Sequence, residues 1–255
     1  MAFITSLARI TVREALRNRL LWVAAIVIAA GLGLAVFLHQ VAITESREIQ
    51  TVVLAALLRF SSVFILATMV VASIVRESND KVMELLLSLP YPRSRYIIGK
   101  FAGYALVAVG LACIFSLPLA LYVRGGGIFA WMLSLACELL IVAAVSLFCA
   151  LSLTQMLSAV AAVAAFYLLA RSISAMQLIA VASMAGSSSF ADRAIAQVVD
   201  LVGLLLPALD RMTETAWLLH GAPDPRVLLG LVAQTAVYLA FVVAAALFDF
   251  YRRNF

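Results

Sequence analysis

The chain has 255 residues, 65% of them hydrophobic and only 12% charged, with a formal net charge of +5. Soluble domains run at roughly 45–50% apolar and 25% charged, so too little polar surface exists to cover a water-soluble globule. With a mean hydropathy of +1.12, the solvent that fits is lipid. The basic residues flank apolar runs, as membrane topology requires, so the charge reads as orientation and not as a nucleic-acid surface.

In lipid the backbone must satisfy its own hydrogen bonds, which restricts spans to helices or a closed barrel. Barrel strands alternate apolar and polar residues. The runs here are long and do not alternate, so the expected fold is all-α. The chain opens with an amphipathic stretch, residues 4–19, in which Ile4, Leu7, Ala8, Thr11, Ala15 and Leu16 share one face. Arg9, Arg13 and Arg17 form a basic stripe on the other, the pattern of a helix lying in the membrane interface. It is not a cleavable signal, because a full-length apolar run follows directly. Spans are predicted at 20–38, 51–75, 96–123, 129–153, 155–170 and 227–248. Residues 171–225 hold apolar runs below the ~17–25 residues a span needs, broken by polar clusters. They predict outer half-helices, re-entrant or half-buried, and loops.

Eleven Lys and Arg residues fall on the side that receives both termini and five on the other, with Arg59 and Arg171 in or near the membrane. The richer side is expected to be cytoplasmic, and six spans return both ends to it. The chain is expected to form a single transmembrane domain, 1–255, without internal repeats or a separate soluble domain.

The one sustained charged segment, residues 76–100, reads RESNDKVMELLLSLPYPRSRYIIGK. Asn79 or Asp80 is placed to cap a helix, and Lys81 and Glu84 to pair across one turn. Val82, Leu85, Leu86 and Leu89 share an apolar face, and Pro90 and Pro92 stop the helix. This predicts a short amphipathic helix, 77–90, joining the second and third spans on the cytoplasmic side. The plain alternative is a loop helix that only packs on the bundle or on headgroups.

Glu77, Glu84-Leu-Leu-Leu-Ser-Leu-Pro90, Arg93 and Gly99-Lys100 resemble the coupling region of type-2 ABC exporter permeases. The resemblance extends to the whole layout. It departs at Lys81-Val82-Met83-Glu84, where family members often carry Gly-Thr-Leu-Glu. The compact size resembles the permeases that help mature nitrous-oxide reductase, although no Met or Cys constellation argues for copper. The resemblance implies a permease subunit whose coupling helix (Glu77, Asp80, Lys81, Val82, Glu84, Leu85, Leu86, Leu89, Pro90, Arg93) docks in a groove of a cytoplasmic ATPase. It further implies two ATPase copies, a second permease copy, expected as a homodimer, and a place in the bacterial inner membrane. No G-x-x-x-x-G-K-[ST] occurs in the chain. The chain is therefore expected to be non-catalytic and to bind no cofactor, with ATP and Mg held by the partner ATPase. The competing class is an ATP-independent assembly or scaffold factor.

Arg59, Glu138 and Arg171 lie in apolar surroundings, where an ionised group costs at least ~2.5–3.5 kcal/mol. The matching depths of Arg59 and Glu138 predict an ion pair, either locking the helices or lining a path. Arg171, near the predicted outer end of the fifth span, is expected to snorkel. Gly99 and Gly103 make a small-xxx-small face that serves either dimer or intra-bundle packing. The fifth span carries a similar face in Ser158, Ala161, Ala162 and Ala165. Cys113, Cys137 and Cys149 read as packing residues, since no metal-ligand spacing occurs. His39 and His220 read as surface residues of outer loops. Ser187–Ser189 lack a placed partner for protease chemistry.

Overall fold

A computed structural model describes residues 2–41, 46–81, 93–123, 125–153, 155–186, 197–199, 201–203 and 206–252. An amphipathic helix α1 (Ala2–Arg17) leads into α2 (Leu20–Val41), and α3 (Ser46–Asn79) returns. Then come α4 (Arg93–Ser116), α5 (Gly127–Ser152) and α6 (Met156–Gly186). A short α7 (Ala216–His220) precedes α8 (Pro225–Arg252). Six of these helices are long and apolar enough to cross a membrane, and no strand occurs among the described residues. The chain is an all-α integral membrane protein.

The axis of the bundle is α5. Two thirds of its most apolar window, 67%, is buried, against 17% for α8 and 22% for α2. It packs against α3, α4, α6, α7 and α8. Peripheral helices present the opposite face outward. Trp22, Ile26 and Phe37 of α2, and Leu229, Val237 and Phe241 of α8, are all exposed. A polypeptide that buries Glu138 and exposes such residues is turned inside out relative to a soluble protein, as lipid solvation demands.

Helix α1 packs along α4, burying Leu7, Ala8, Thr11 and Ala15 and leaving Arg9, Arg13 and Arg17 exposed. Gly99 and Gly103 are the seat. A methyl on Gly103 would stand 2.6 Å from Thr11 Cβ, and one on Gly99 2.9 Å from Leu7 Cδ2. Both glycines therefore face α1 of the same chain. An elbow at Asn18–Arg19, with Arg19 at φ 56°, separates α1 from α2.

Three boundaries differ from the sequence expectation. Helix α3 runs on through Glu77, because no proline or glycine interrupts its ladder, and Asp80 N–H still donates to Arg76 O at 2.9 Å. Glu77 thus belongs to a spanning helix. Asp80 and Lys81 form the turn after it, with Lys81 at φ 56°. Helix α6 continues without a break past Ala170 to Gly186. Ser172 and Ser174, which look like loop residues in sequence, are helical, and the Ser172 hydroxyl returns to Leu168 O. Helix α4 ends at Ser116, before a 3-10 turn at Pro118–Leu121. Val82, Glu84, Leu85, Leu86, Leu89 and Pro90 lie outside the described residues, as do Ser187–Ser189. Arg93 opens α4, and its side chain is also outside the described set.

Candidate functional site

Two polar clusters stand out against the apolar bundle. The first, at the end that carries the termini, gathers around Lys100 in the second turn of α4. Lys100 is only 1% exposed. A buried ammonium needs a counter-charge, and Glu77 at the end of α3 supplies it directly. The Tyr96 hydroxyl donates to the other oxygen of Glu77 at 2.7 Å. Glu14 of α1 stands 3.8 Å from Lys100 and accepts from Ser73 Oγ at 2.9 Å. Tyr96 also stacks on Phe250 of α8, with ring centroids 6.1 Å apart. One turn further along α4, the Tyr104 ring lies 5.9 Å from the ammonium. The charged segment of the sequence is thus clasped at its two ends. Glu77 precedes residues 82–92, Tyr96 and Lys100 follow them, and α1 and α8 are tied to the same knot.

The second cluster lies deeper in the bundle, among α3, α5 and α6, in the half away from the termini. Glu138 of α5 is fully buried. Its Oε1 accepts from the Tyr167 hydroxyl at 2.8 Å and lies 3.6 Å from Arg171 Nη1. Its Oε2 accepts from Thr213 Oγ1 at 2.7 Å. Thr213 sits in the stretch between α6 and α7, and every polar atom it has is used. Its N–H donates to Ser134 Oγ at 2.6 Å, and its carbonyl accepts from Arg59 Nη1 at 2.8 Å. Its hydroxyl oxygen also receives Arg59 at 3.3 Å and Arg171 at 3.4 Å. Arg171 further donates to Leu209 O at 2.7 Å and Met212 O at 3.3 Å.

Thr213 holds φ at 51°, in the left-handed region that a β-branched residue avoids. Such a conformation costs on the order of 1–3 kcal/mol and persists only where its surroundings over-determine it. Here the surroundings are three spanning helices, each contributing at least one hydrogen bond. The stretch between α6 and α7 is therefore latched into the bundle through one strained residue. It is pinned a second time at the start of α5, where a methyl on Gly127 would fall 2.0 Å from Trp217 O. Only a residue without Cβ allows α7 to lie there.

The geometry corrects two expectations. Arg59 and Glu138 do not pair directly: Thr213 stands between them, and the ion-pair partner of Glu138 is Arg171. Depth along two helices matched, but α6 comes closer to Glu138 than Arg59 does. Nor does Arg171 snorkel. Because α6 continues past it, Arg171 lies within the helix and points into the bundle, 20% of its side chain exposed. Two arginines and one glutamate leave a positive charge. Asp210, bonded to Ser174 one turn along α6 from Arg171, brings the formal sum to zero.

Sequence reasoning singled out Arg59, Glu138 and Arg171 but missed Ser134, Tyr167, Thr213 and Asp210. A signal existed: Tyr167, Arg171 and Ser174 recur at i, i+4 and i+7, and Ser134 and Glu138 at i and i+4, each set on one helical face. Thr213 had none, since its role rests on backbone geometry. Elsewhere, His39 lines an open cleft of about 660 Å³ with Arg47, Gln50 and Tyr122, and His220 is exposed. Among the described residues no group of three His, Cys, Asp or Glu could hold a metal ion.

Both clusters tie helices of the bundle together, one at the end that carries the termini and one deeper within it. Residues 5–252 match the family model described as ABC-2 family transporter protein. No curated protein matches the chain.

Proposed function

The chain belongs to the ABC-2 transporter family, and from that premise we propose that it is the permease of an exporter driven by a separate cytoplasmic ATPase. Membership makes it the membrane-spanning subunit of an ABC transporter. The proposal adds direction, partner and coupling. Two ATPase subunits would act on two permease copies, a homodimer, in a bacterial cytoplasmic membrane with both termini inside. Residues 82–90, with Glu84, Leu86 and Leu89, would form the ridge that the ATPase grips, and Arg93 would fix its register.

The observation that carries the reading is the clasp of Glu77 with Tyr96 and Lys100. Force applied to residues 82–92 reaches α3 and α4 together, because their ends are bound to each other across the segment. Helix α3 is continuous from Glu77 to Arg59, about 27 Å at 1.5 Å per residue. A displacement at the clasp is therefore delivered along one rigid rod to the latch that Arg59 makes with Thr213. Breaking that contact would free the 206–220 stretch and let the outer ends of α3, α5 and α6 separate. One cycle of nucleotide binding and hydrolysis would thus open and reseal the outer end.

Co-expression with a candidate ABC ATPase subunit tests the reading. A stable complex with vanadate-sensitive hydrolysis is expected, and Glu84→Lys or Leu86→Asp should uncouple hydrolysis from transport while leaving the spans inserted. Absence of both complex and any change in ATPase activity would instead favour an ATP-independent scaffold.

A further inference from the structure

On the terminal side, the elbow between α1 and α2 forms one wall of a cleft of about 400 Å³, lined by Ile10 and by Arg13, Arg17, Asn18 and Arg76. Glu14 also borders the cleft and shares the single ammonium of Lys100 with Glu77, so three guanidinium charges still exceed the one negative charge left over. Among the described residues no carboxylate pairs with any of the three arginines. Asn18 also lines a second crevice, about 210 Å³, whose other walls include Leu20, Val23, Ile65, Met69 and Met156. The two share Asn18 as a common wall. A guanidinium-rich mouth thus stands at the helix ends, and a mainly apolar slot between α2, α3 and the start of α6 adjoins it.

We infer that this composite site seats an anionic phospholipid of the leaflet at the terminal end, its phosphate among Arg13, Arg17 and Arg76 and an acyl chain in the crevice. The chemistry selects the ligand class. Guanidinium forks match phosphate oxygens, and basic pockets at helix ends draw acidic headgroups. A free anion would leave the apolar slot unfilled, and a zwitterionic lipid would leave the excess positive charge unmatched. The lipid would brace a joint with little protein support, since α2 packs chiefly on α3 and touches α1 only lightly. The inference is independent of the transport reading, because it concerns the chain with or without an ATPase bound.

Native mass spectrometry of the delipidated full-length protein, titrated with phosphatidylglycerol or phosphatidylcholine, tests it. Wild type should retain phosphatidylglycerol preferentially. Arg13→Gln, Arg17→Gln and Arg76→Gln should each weaken it roughly fivefold and leave phosphatidylcholine unaffected. All three side chains are exposed, so these variants keep the fold, and thermal melts check that they do. Val23→Trp, which fills the crevice from its exposed edge, should weaken both lipids. Four results overturn the inference. One is equal retention of the two lipids by wild type, and a second is a preference that survives loss of all three arginines. Another is displacement of phosphatidylglycerol by inorganic phosphate alone, which marks a free-anion site. The last is crosslinking of a cysteine at position 23 to a second copy, in a background lacking the native cysteines, which marks the crevice as a protein interface.

Discussion

The hydroxyl of Thr213 donates to Glu138 Oε2 across 2.7 Å, joining a strained residue of the stretch between α6 and α7 to a carboxylate that has no contact with solvent. Both ends of the bond are costly alone. Left-handed backbone at a β-branched residue is strained, and a buried acceptor without its donor costs about 1–3 kcal/mol. Thr213→Val keeps the shape and the strain but deletes the hydroxyl. It should lower the melting temperature of the purified protein by several degrees and raise proteolysis between α6 and α7. Thr213→Ser, which keeps the hydroxyl and loses the branch, should restore wild-type protection. Equal behaviour of the valine and serine variants would remove the hydroxyl from the argument.

Glu138 and Arg171 form the one ion pair described in this cluster, at 3.6 Å, and a double-mutant cycle should find them coupled. Removing one member of a buried pair strands the other and destabilises strongly, by about 3–5 kcal/mol. Glu138→Gln and Arg171→Gln should each reduce the yield of folded protein. The double variant should be less damaged than the sum of the two, measured by thermal unfolding in detergent. The same cycle with Arg59 in place of Arg171 should show weaker coupling, because Arg59 reaches Glu138 only through Thr213. Stronger coupling to Arg59 would contradict the arrangement.

What the sequence disclosed and withheld follows from the kind of interaction. Spans, termini on one side and the amphipathic α1 were legible because lipid imposes length, periodicity and flanking charge on sequence. Glu138 and Arg59 were legible because a charge in an apolar run is conspicuous. Their partners were not. Which arginine meets Glu138 depends on the rotation and continuity of α6, and Ser172 and Ser174 lie past residue 170, where the span was expected to end. Their hydroxyls bond within the fold instead, Ser172 to a carbonyl one turn back and Ser174 to Asp210, so the helix continues. The role of Gly99 and Gly103 stayed open because a small-xxx-small face gives close approach without saying to what. Lys100 was noticed as part of a motif, but that it is buried and bound to Glu77 is a tertiary fact.

Gly103 offers a graded test of that face. A methyl there would meet Thr11 Cβ at 2.6 Å and Ala8 O at 3.1 Å, so α1 must move away. Overpacking of this kind costs about 1–3 kcal/mol. Gly103→Ala should loosen α1, and Gly103→Leu should detach it. Alkylation of a cysteine placed at Ala8, buried in wild type, reports the change. Labelling should rise from wild type through alanine to leucine, with the six spans still inserted. Self-association should be unaffected by Gly103→Ala, since the face is filled within one chain. Loss of self-association with unchanged labelling would assign the face to contact with another copy.

The last prediction concerns the clasp. Lys100 is buried to 1% exposure, and both its acidic partners come from other helices. Lys100→Met removes the charge while keeping the length of the side chain, leaving Glu77 with Tyr96 alone. Glu77 is partly exposed, its side chain at 16%, so water can solvate it and the bundle should survive with a modest loss of stability. The link across residues 82–92 should nevertheless slacken, because the ends of α3 and α4 would share only the Tyr96 hydroxyl bond. In the complex with the ATPase, hydrolysis should continue while its dependence on the permease declines, and transport should fall further than hydrolysis. Exchanging the charges, Glu77→Lys with Lys100→Glu, should recover part of the coupling if pairing itself matters. It should recover none if the buried position tolerates only the ammonium, because Glu14 would then face a second carboxylate at about the present 3.8 Å. Adding Glu14→Gln to the exchange separates these cases: recovery only in the triple variant assigns the deficit to that repulsion. Unimpaired coupling in Lys100→Met would show that motion reaches α3 by another route.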